Sequence, residues 1–251
     1  MRSLAYILCI LTIISCSDDD PLAVENLTLA EYVDAFPELD QTFLIACAGG
    51  RDVSLLPQFD EPTSVFYLPV SGARDIRYFE VDNIADSLDF TKYVEQDLEI
   101  GPVFNGFLQR YMHEPFEGEK FAIVASVTDD RLHISDPIRL KSNTKPTEVN
   151  ESLVSVEESG VNPNFTWEDG AIDENIIYFQ VVTDANNEFI SGTYTVDRNF
   201  TFYDVSNVVL NITDTLATPT LLPNENYTFT LMGISEDNWV NFLSVVPFES
   251  N

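Results

Sequence analysis

Basic residues are scarce. Twelve lysines and arginines stand against 42 aspartates and glutamates, a formal charge of −30. Such a surface is repelled by phosphate backbones and anionic headgroups, which excludes nucleic acid as a partner and membrane binding through a basic face. Histidine occurs only at positions 113 and 133, and no Ser/His/Asp order or HExxH spacing can be assembled around either. Both fall in segments that read as a loop and an edge strand, so both are expected at the surface. No long helical repeat is present, which argues against a parallel α/β sheet. The N-terminal apolar run, Leu4 to Ile14, has 11 residues, too few to cross a hydrocarbon core of about 30 Å as a helix.

That run is informative for what surrounds it. Arg2 precedes it, Ser15 follows it, and then come Cys16, Ser17, Asp18, Asp19 and Asp20. A charged start, a short apolar stretch and a small residue are the parts of a secretory signal. The small residue followed by Cys16 resembles the lipobox of bacterial lipoproteins, and the acidic run resembles the surface-export signal of lipoproteins from Bacteroidota. The resemblance implies cleavage before Cys16, acylation of that thiol, and a lipid-anchored position on the outer membrane, exposed at the cell surface. Ser17, Asp18, Asp19 and Asp20 would be the export signal. Removing residues 1–15 takes Arg2 away, so −30 becomes −31, and 251 − 15 = 236 residues remain. Cys9 leaves with the signal and Cys16 is spent on lipid, so Cys47 stands alone. An intrachain disulfide and a thiolate zinc site are then excluded. Within Phe43–Ala48 it reads as a small buried hydrophobe.

Beyond an acidic tether (16–27), Thr28-Leu29-Ala30-Glu31 has the form of a capping box, and Leu29, Tyr32, Val33 and Phe36 share one helical face. The pattern predicts a short helix from Leu29 to Phe36 that plugs one end of a domain. From Thr42 the chain reads as short strands: Phe43–Ala48, Ser64–Val70, Ile76–Val81, Phe121–Val127 and Leu132–Leu140, with Gly49-Gly50, Gly72 and Asp129-Asp130 as turns. Thr91–Leu98 reads as helix or strand, and Val103–Tyr111 as an irregular strand. The polar stretch Lys141–Thr147 is the natural boundary between domains at 28–143 and 144–251. Past it, strands resume at Leu153–Val156, Asn164–Trp167, Ile176–Thr183, Phe189–Val196, Asn199–Tyr203, Val208–Thr213, Asn226–Ile234 and Trp239–Pro247. Ile76-Arg77-Tyr78-Phe79-Glu80-Val81 and Ile176-Ile177-Tyr178-Phe179-Gln180-Val181 echo each other at an offset of 100, the signature of a tandem repeat.

Leu221-Leu222-Pro223-Asn224-Glu225-Asn226-Tyr227 resembles the L-x-P-x-x-x-Y that opens strand F of fibronectin type III domains. Phe165-Thr166-Trp167 resembles their strand B, and Tyr178-Phe179-Gln180-Val181 their strand C. The resemblance implies an antiparallel β-sandwich over residues 149–251, Trp167 in its core, and a Tyr227 hydroxyl bonded to upstream backbone. The first domain has Phe121 in place of that tyrosine, so only the architecture carries over there. The expected fold class is all-β: two tandem antiparallel sandwiches behind a signal peptide and a short helix.

Function is less legible. Acidic pairs (Asp129/Asp130, Glu157/Glu158, Glu168/Asp169, Asp173/Glu174) could in principle supply two carboxylates for glycoside hydrolysis, but they fall mostly in predicted turns. Asp184–Glu188 carries alternate oxygen side chains that suit calcium or a hairpin turn. Trp239, following Asp237 and Asn238 in the expected F–G loop, suits stacking on a sugar or docking of a protein, unless it turns inward at the start of the last strand. No catalytic residues, metal or cofactor are assigned. The expected role is a non-catalytic binding or scaffolding module for an envelope protein, with a glycan-binding accessory as the alternative.

Overall fold

The computed structural model describes residues 26–50, 63–157, 160–213 and 217–251. Cys16 and the export signal lie outside these residues. Helix α1 (Leu29–Asp34) begins at a true capping box: the Glu31 N–H donates to Thr28 Oγ1 at 3.2 Å and the Thr28 N–H to Glu31 Oε2 at 2.9 Å. It is followed by β1 (Asp40–Phe43), β2 (Ala46–Gly50), β3 (Thr63–Tyr67), β4 (Arg74–Val81), β5 (Val94–Glu95), β6 (Glu99–Val103), β7 (Leu108–His113), β8 (Lys120–Val127), β9 (Arg131–Ile134) and β10 (Ile138–Leu140). Past Lys141–Thr147 come β11 (Glu148–Val149), β12 (Val154–Glu157), β13 (Asn164–Trp167), β14 (Asn175–Asp184), β15 (Phe189–Thr195), β16 (Asn199–Thr201), β17 (Val208–Asn211), β18 (Asn226–Ser235) and β19 (Val240–Glu249).

These strands form four sheets, two per half. In the first half, β1-β9-β8-β4-β5 with β10 on β8 makes sheet A, and β2-β3-β7-β6 makes sheet B. In the second, β11-β19-β18-β14-β15-β17 makes sheet C and β12-β13-β16 makes sheet D. The fold is all-β, as expected. The echoing hexapeptides occupy β4 and β14, each the strand that pairs with the long strand β8 or β18. Strands C, F and G of the expected sandwich lie side by side as β14, β18 and β19, with strand B facing them as β13.

The layers stack in the order α1, A, B, C, D. Leu29 and Tyr32 of α1 cover the outer face of sheet A at Phe79, Ile123 and Ala125. Tyr78, Val124 and Ile138 of sheet A meet Val65, Tyr67 and Tyr111 of sheet B. The opposite face of sheet B, Cys47, Phe66 and Leu108, packs on Phe179, Val181, Tyr194 and Met232 of sheet C. The inner face of sheet C then meets Phe165 and Trp167 of sheet D. Sheets B and C are therefore covered on both sides, which is why β3 is buried throughout and β14 is buried continuously from Tyr178 to Thr183 rather than on alternate residues.

Several boundaries differ from the sequence reading. The helix lies across a sheet face instead of plugging an end, because sheet A has an apolar outer face to cover. Gly49-Gly50 end β2 rather than forming a turn; a Cβ on Gly49 would sit 3.2 Å from Val240 Cβ across the seam. Phe43–Ala48 divides into β1 and β2, and Leu132–Leu140 into β9 and β10 around Pro137. Thr91–Leu98 contributes only the two residues of β5, and Val103–Tyr111 divides at the turn Phe104–Gly106.

Candidate functional site

The loop proposed for recognition is used inside the molecule. Ser235 to Asn238 form the turn between β18 and β19, closed by Asn238 N–H donating to Ser235 O at 3.0 Å, with Asn238 at a φ of 60° that asparagine tolerates. Trp239 then has no exposed surface: it enters the core between sheets A and B beside Leu44, Ala48 and Tyr111, and its Nε1 donates to Lys145 O at 2.8 Å. Asp237 accepts from Lys141 Nζ at 2.9 Å, and its carbonyl accepts from Arg139 N–H at 2.9 Å. Asn238 Nδ2 donates to Pro137 O at 3.2 Å, and its carbonyl accepts from Ala48 N–H at 2.9 Å. The inward alternative for Trp239 is the one realised. It is not a platform for stacking, and Asp237 and Asn238 bind the first half of the same chain. An indole is mostly hydrocarbon, and an apolar pocket offered by a neighbouring sandwich outcompetes water for it.

The boundary stretch is part of the same seam. Lys141, Ser142 and Thr147 are buried, and Thr147 Oγ1 donates to Val240 O at 2.8 Å while accepting from Gly50 N–H at 2.9 Å. Cys47 lies against the same seam, where burial pushes its thiol up to about 12.

The other sequence candidates disperse. Asp129 is fully exposed in the β8–β9 turn. Glu174 is exposed and ion-paired to Lys145, and Asp169 is held by Arg198, Tyr178 and Asn175. Glu158 lies outside the described residues. Asp184 Oδ1 accepts from the N–H groups of Asn186 and Glu188, both at 2.8 Å, so that carboxylate oxygen caps its own hairpin. Tyr227 takes the expected corner: the Leu222 N–H donates to its hydroxyl oxygen at 2.9 Å, and Trp167 is in the core.

A polar cluster that sequence reasoning missed lies in the first half. Glu80 on β4 has a side chain 4% exposed, yet it carries a full set of donors: Tyr78 Oη at 2.7 Å and His113 Nε2 at 2.8 Å on Oε1, and Lys120 Nζ at 3.0 Å on Oε2. Burial alone would raise the carboxyl, but the His113 bond and charge, the Tyr78 bond and Lys120 hold it below the usual carboxylate range. Burial likewise pushes His113 down, and its bond to and attraction for Glu80 outweigh that and raise it. The group borders a cavity of about 650 Å³ whose other walls include Asp97, Leu98, Glu99 and Met112. His113 ends β7 and is half-buried, and His133 lies on β9, flanked by β1 and β8 and nearly buried. Neither is the surface residue expected. The available signal was the repeat itself: at the offset of 100, Glu80 stands where the second half has Gln180, a neutral amide bonded to Thr195 Oγ1 at 2.9 Å.

No family model matches the chain, and no curated protein matches it. Among solved structures, the FN1–FN3 domains of chicken CNTN1 superpose with a TM-score of 0.31 at 11% identity, over 85% of this chain and 68% of that one. The sandwich architecture rests on the chain's own strand order and core.

Proposed function

We propose that the protein is a Bacteroidota-type surface lipoprotein, held in the outer membrane by acyl chains on Cys16, that acts as a rigid, non-catalytic binding or scaffolding module for an envelope protein partner. The observation that carries this is the seam between sheets B and C. It joins two sandwiches into one body whose loops keep a fixed geometry, the property a scaffold needs and a hinged enzyme does not. The anchor would enter on the α1 side, with sheet D the farthest layer. Nine residues lie between Cys16 and Asn26, ten steps along the backbone and a reach of at most about 35 Å. The glycan-binding alternative loses the aromatic it stood on, since Trp239 is internal.

Membrane fractionation with surface proteolysis tests the placement. Wild type is expected in the outer membrane and protease-accessible, and Cys16→Ser in the soluble fraction. Photo-crosslinkers placed at Thr166, on the outer face of sheet D, should capture one defined protein. A Cys16→Ser chain that stays membrane-bound, or crosslinkers that capture only lipid, would overturn the reading.

A further inference from the structure

The His113–Glu80 contact joins two different sheets, B through β7 and A through β4, at the border of the cavity. Its chemistry is set by acceptors on both sides of the ring. His113 Nε2 faces the Glu80 carboxylate at 2.8 Å, and Nδ1 faces the Glu114 carbonyl at 2.6 Å. A carbonyl cannot donate, and Glu80 already accepts from a tyrosine and a lysine, so it is a carboxylate. Both ring nitrogens must therefore carry protons, a condition only the imidazolium meets. A neutral ring would turn one lone pair toward an oxygen lone pair and break one of the two bonds.

We propose that His113 and Glu80 form a pH-sensitive latch that pins the end of β7 to β4 beside this cavity and loosens as the imidazolium loses its proton. The charged and titratable neighbours among the described residues are these. Tyr78 and Glu80 face it from β4, and Asp82 just beyond β4 holds Lys120 at 3.1 Å. Lys120 projects from β8 and, among the described residues, is the positive charge that opposes the imidazolium. Asp97 and Glu99 border the cavity from the β5–β6 segment, and Glu114 follows in sequence. The carboxylates outnumber the lysine and favour the charged ring. Phe116 meets the imidazole in a T-shaped contact, ring centroids 4.8 Å apart.

The direction of the pH response follows. His113 titrates higher in the folded chain than in the unfolded one, so its contribution is complete below about pH 6.5 and fades as pH rises through the folded value. Glu80 titrates lower when folded, so its share is present above about pH 4.5 and fades only as pH falls through its folded value. The latch is tightest below about pH 6.5 and weakens as pH rises through the folded value of His113.

An NMR titration of the two imidazoles in the full chain tests this, with His133→Gln for assignment. The His113 midpoint is expected above 6.5 and the His133 midpoint below it, because burial depresses His133. Glu80→Gln should bring His113 to 6.5 or lower. Hydrogen exchange over residues 108–115, corrected for intrinsic chemistry, should accelerate between pH 6 and pH 9, about tenfold for each unit by which His113 exceeds 6.5. His113→Lys, permanently charged over that range, should remove the acceleration. A His113 midpoint at or below 6.5 in the wild type, or equal exchange at both pH values, would overturn the proposal. Both readouts use the wild-type chain, so they decide it even where a variant fails to fold.

Discussion

Trp239 shows how one side chain can decide the relation between two domains. It belongs by sequence to the second sandwich and by packing to the first, so truncation removes a wedge as well as a contact. Trp239→Ala is expected to cost about 3–5 kcal/mol, the range for emptying a buried aromatic site, measured as a fall in the urea midpoint. The residue also marks a limit of sequence reading. An aromatic after Glu236-Asp237-Asn238 looks identical whether its polar neighbours face solvent or, as here, Lys141, Pro137 and Ala48 of another domain. Glu80 marks the opposite limit. Its strand mixes apolar and charged residues, and its partners His113 and Lys120 lie 33 and 40 positions away, a separation that no local pattern spans.

At the scale of elements, much was legible because it depends on local chemistry. The capping box at Thr28, the Tyr227 corner and many of the strands are written within a few residues, and these appear where the pattern puts them, although several strand boundaries do not. What the pattern could not show is which faces meet. Gly49-Gly50 has the composition of a turn, yet the pair ends β2 because β19 passes close against it. Substitution there tests the point: Gly49→Val would drive a branched side chain into Thr147 Oγ1, 3.1 Å from the first added carbon, and into Val240. Overpacking of this kind costs about 1–3 kcal/mol, and thermal unfolding should register it while Gly72→Ala, with open space around its Cβ position, responds only to its φ of +77°.

At the scale of the whole molecule, the two halves use one rule of assembly. The strand-C sheet of the second half is covered by sheet B, and the matching sheet of the first half is covered by α1. Contacts between unlike faces propagate into open arrays unless the ends are blocked. The stack is blocked by the helix at one end and at the other by sheet D, whose outer positions Ser155, Thr166 and Asn199 are exposed and polar. Truncation to residue 37, which removes α1, should uncover Phe79, Ile123 and Ala125 and cause self-association. Sedimentation of the truncated chain against the intact one checks this, with the intact chain expected to stay monomeric.

The burial of Cys47 between the two sandwiches has a practical sequel. In the folded chain its thiol is shut away from oxidants and from other molecules. The same seclusion turns it into a clock: an alkylating reagent can reach that sulfur only when the halves part, and the rate of alkylation counts how often they do.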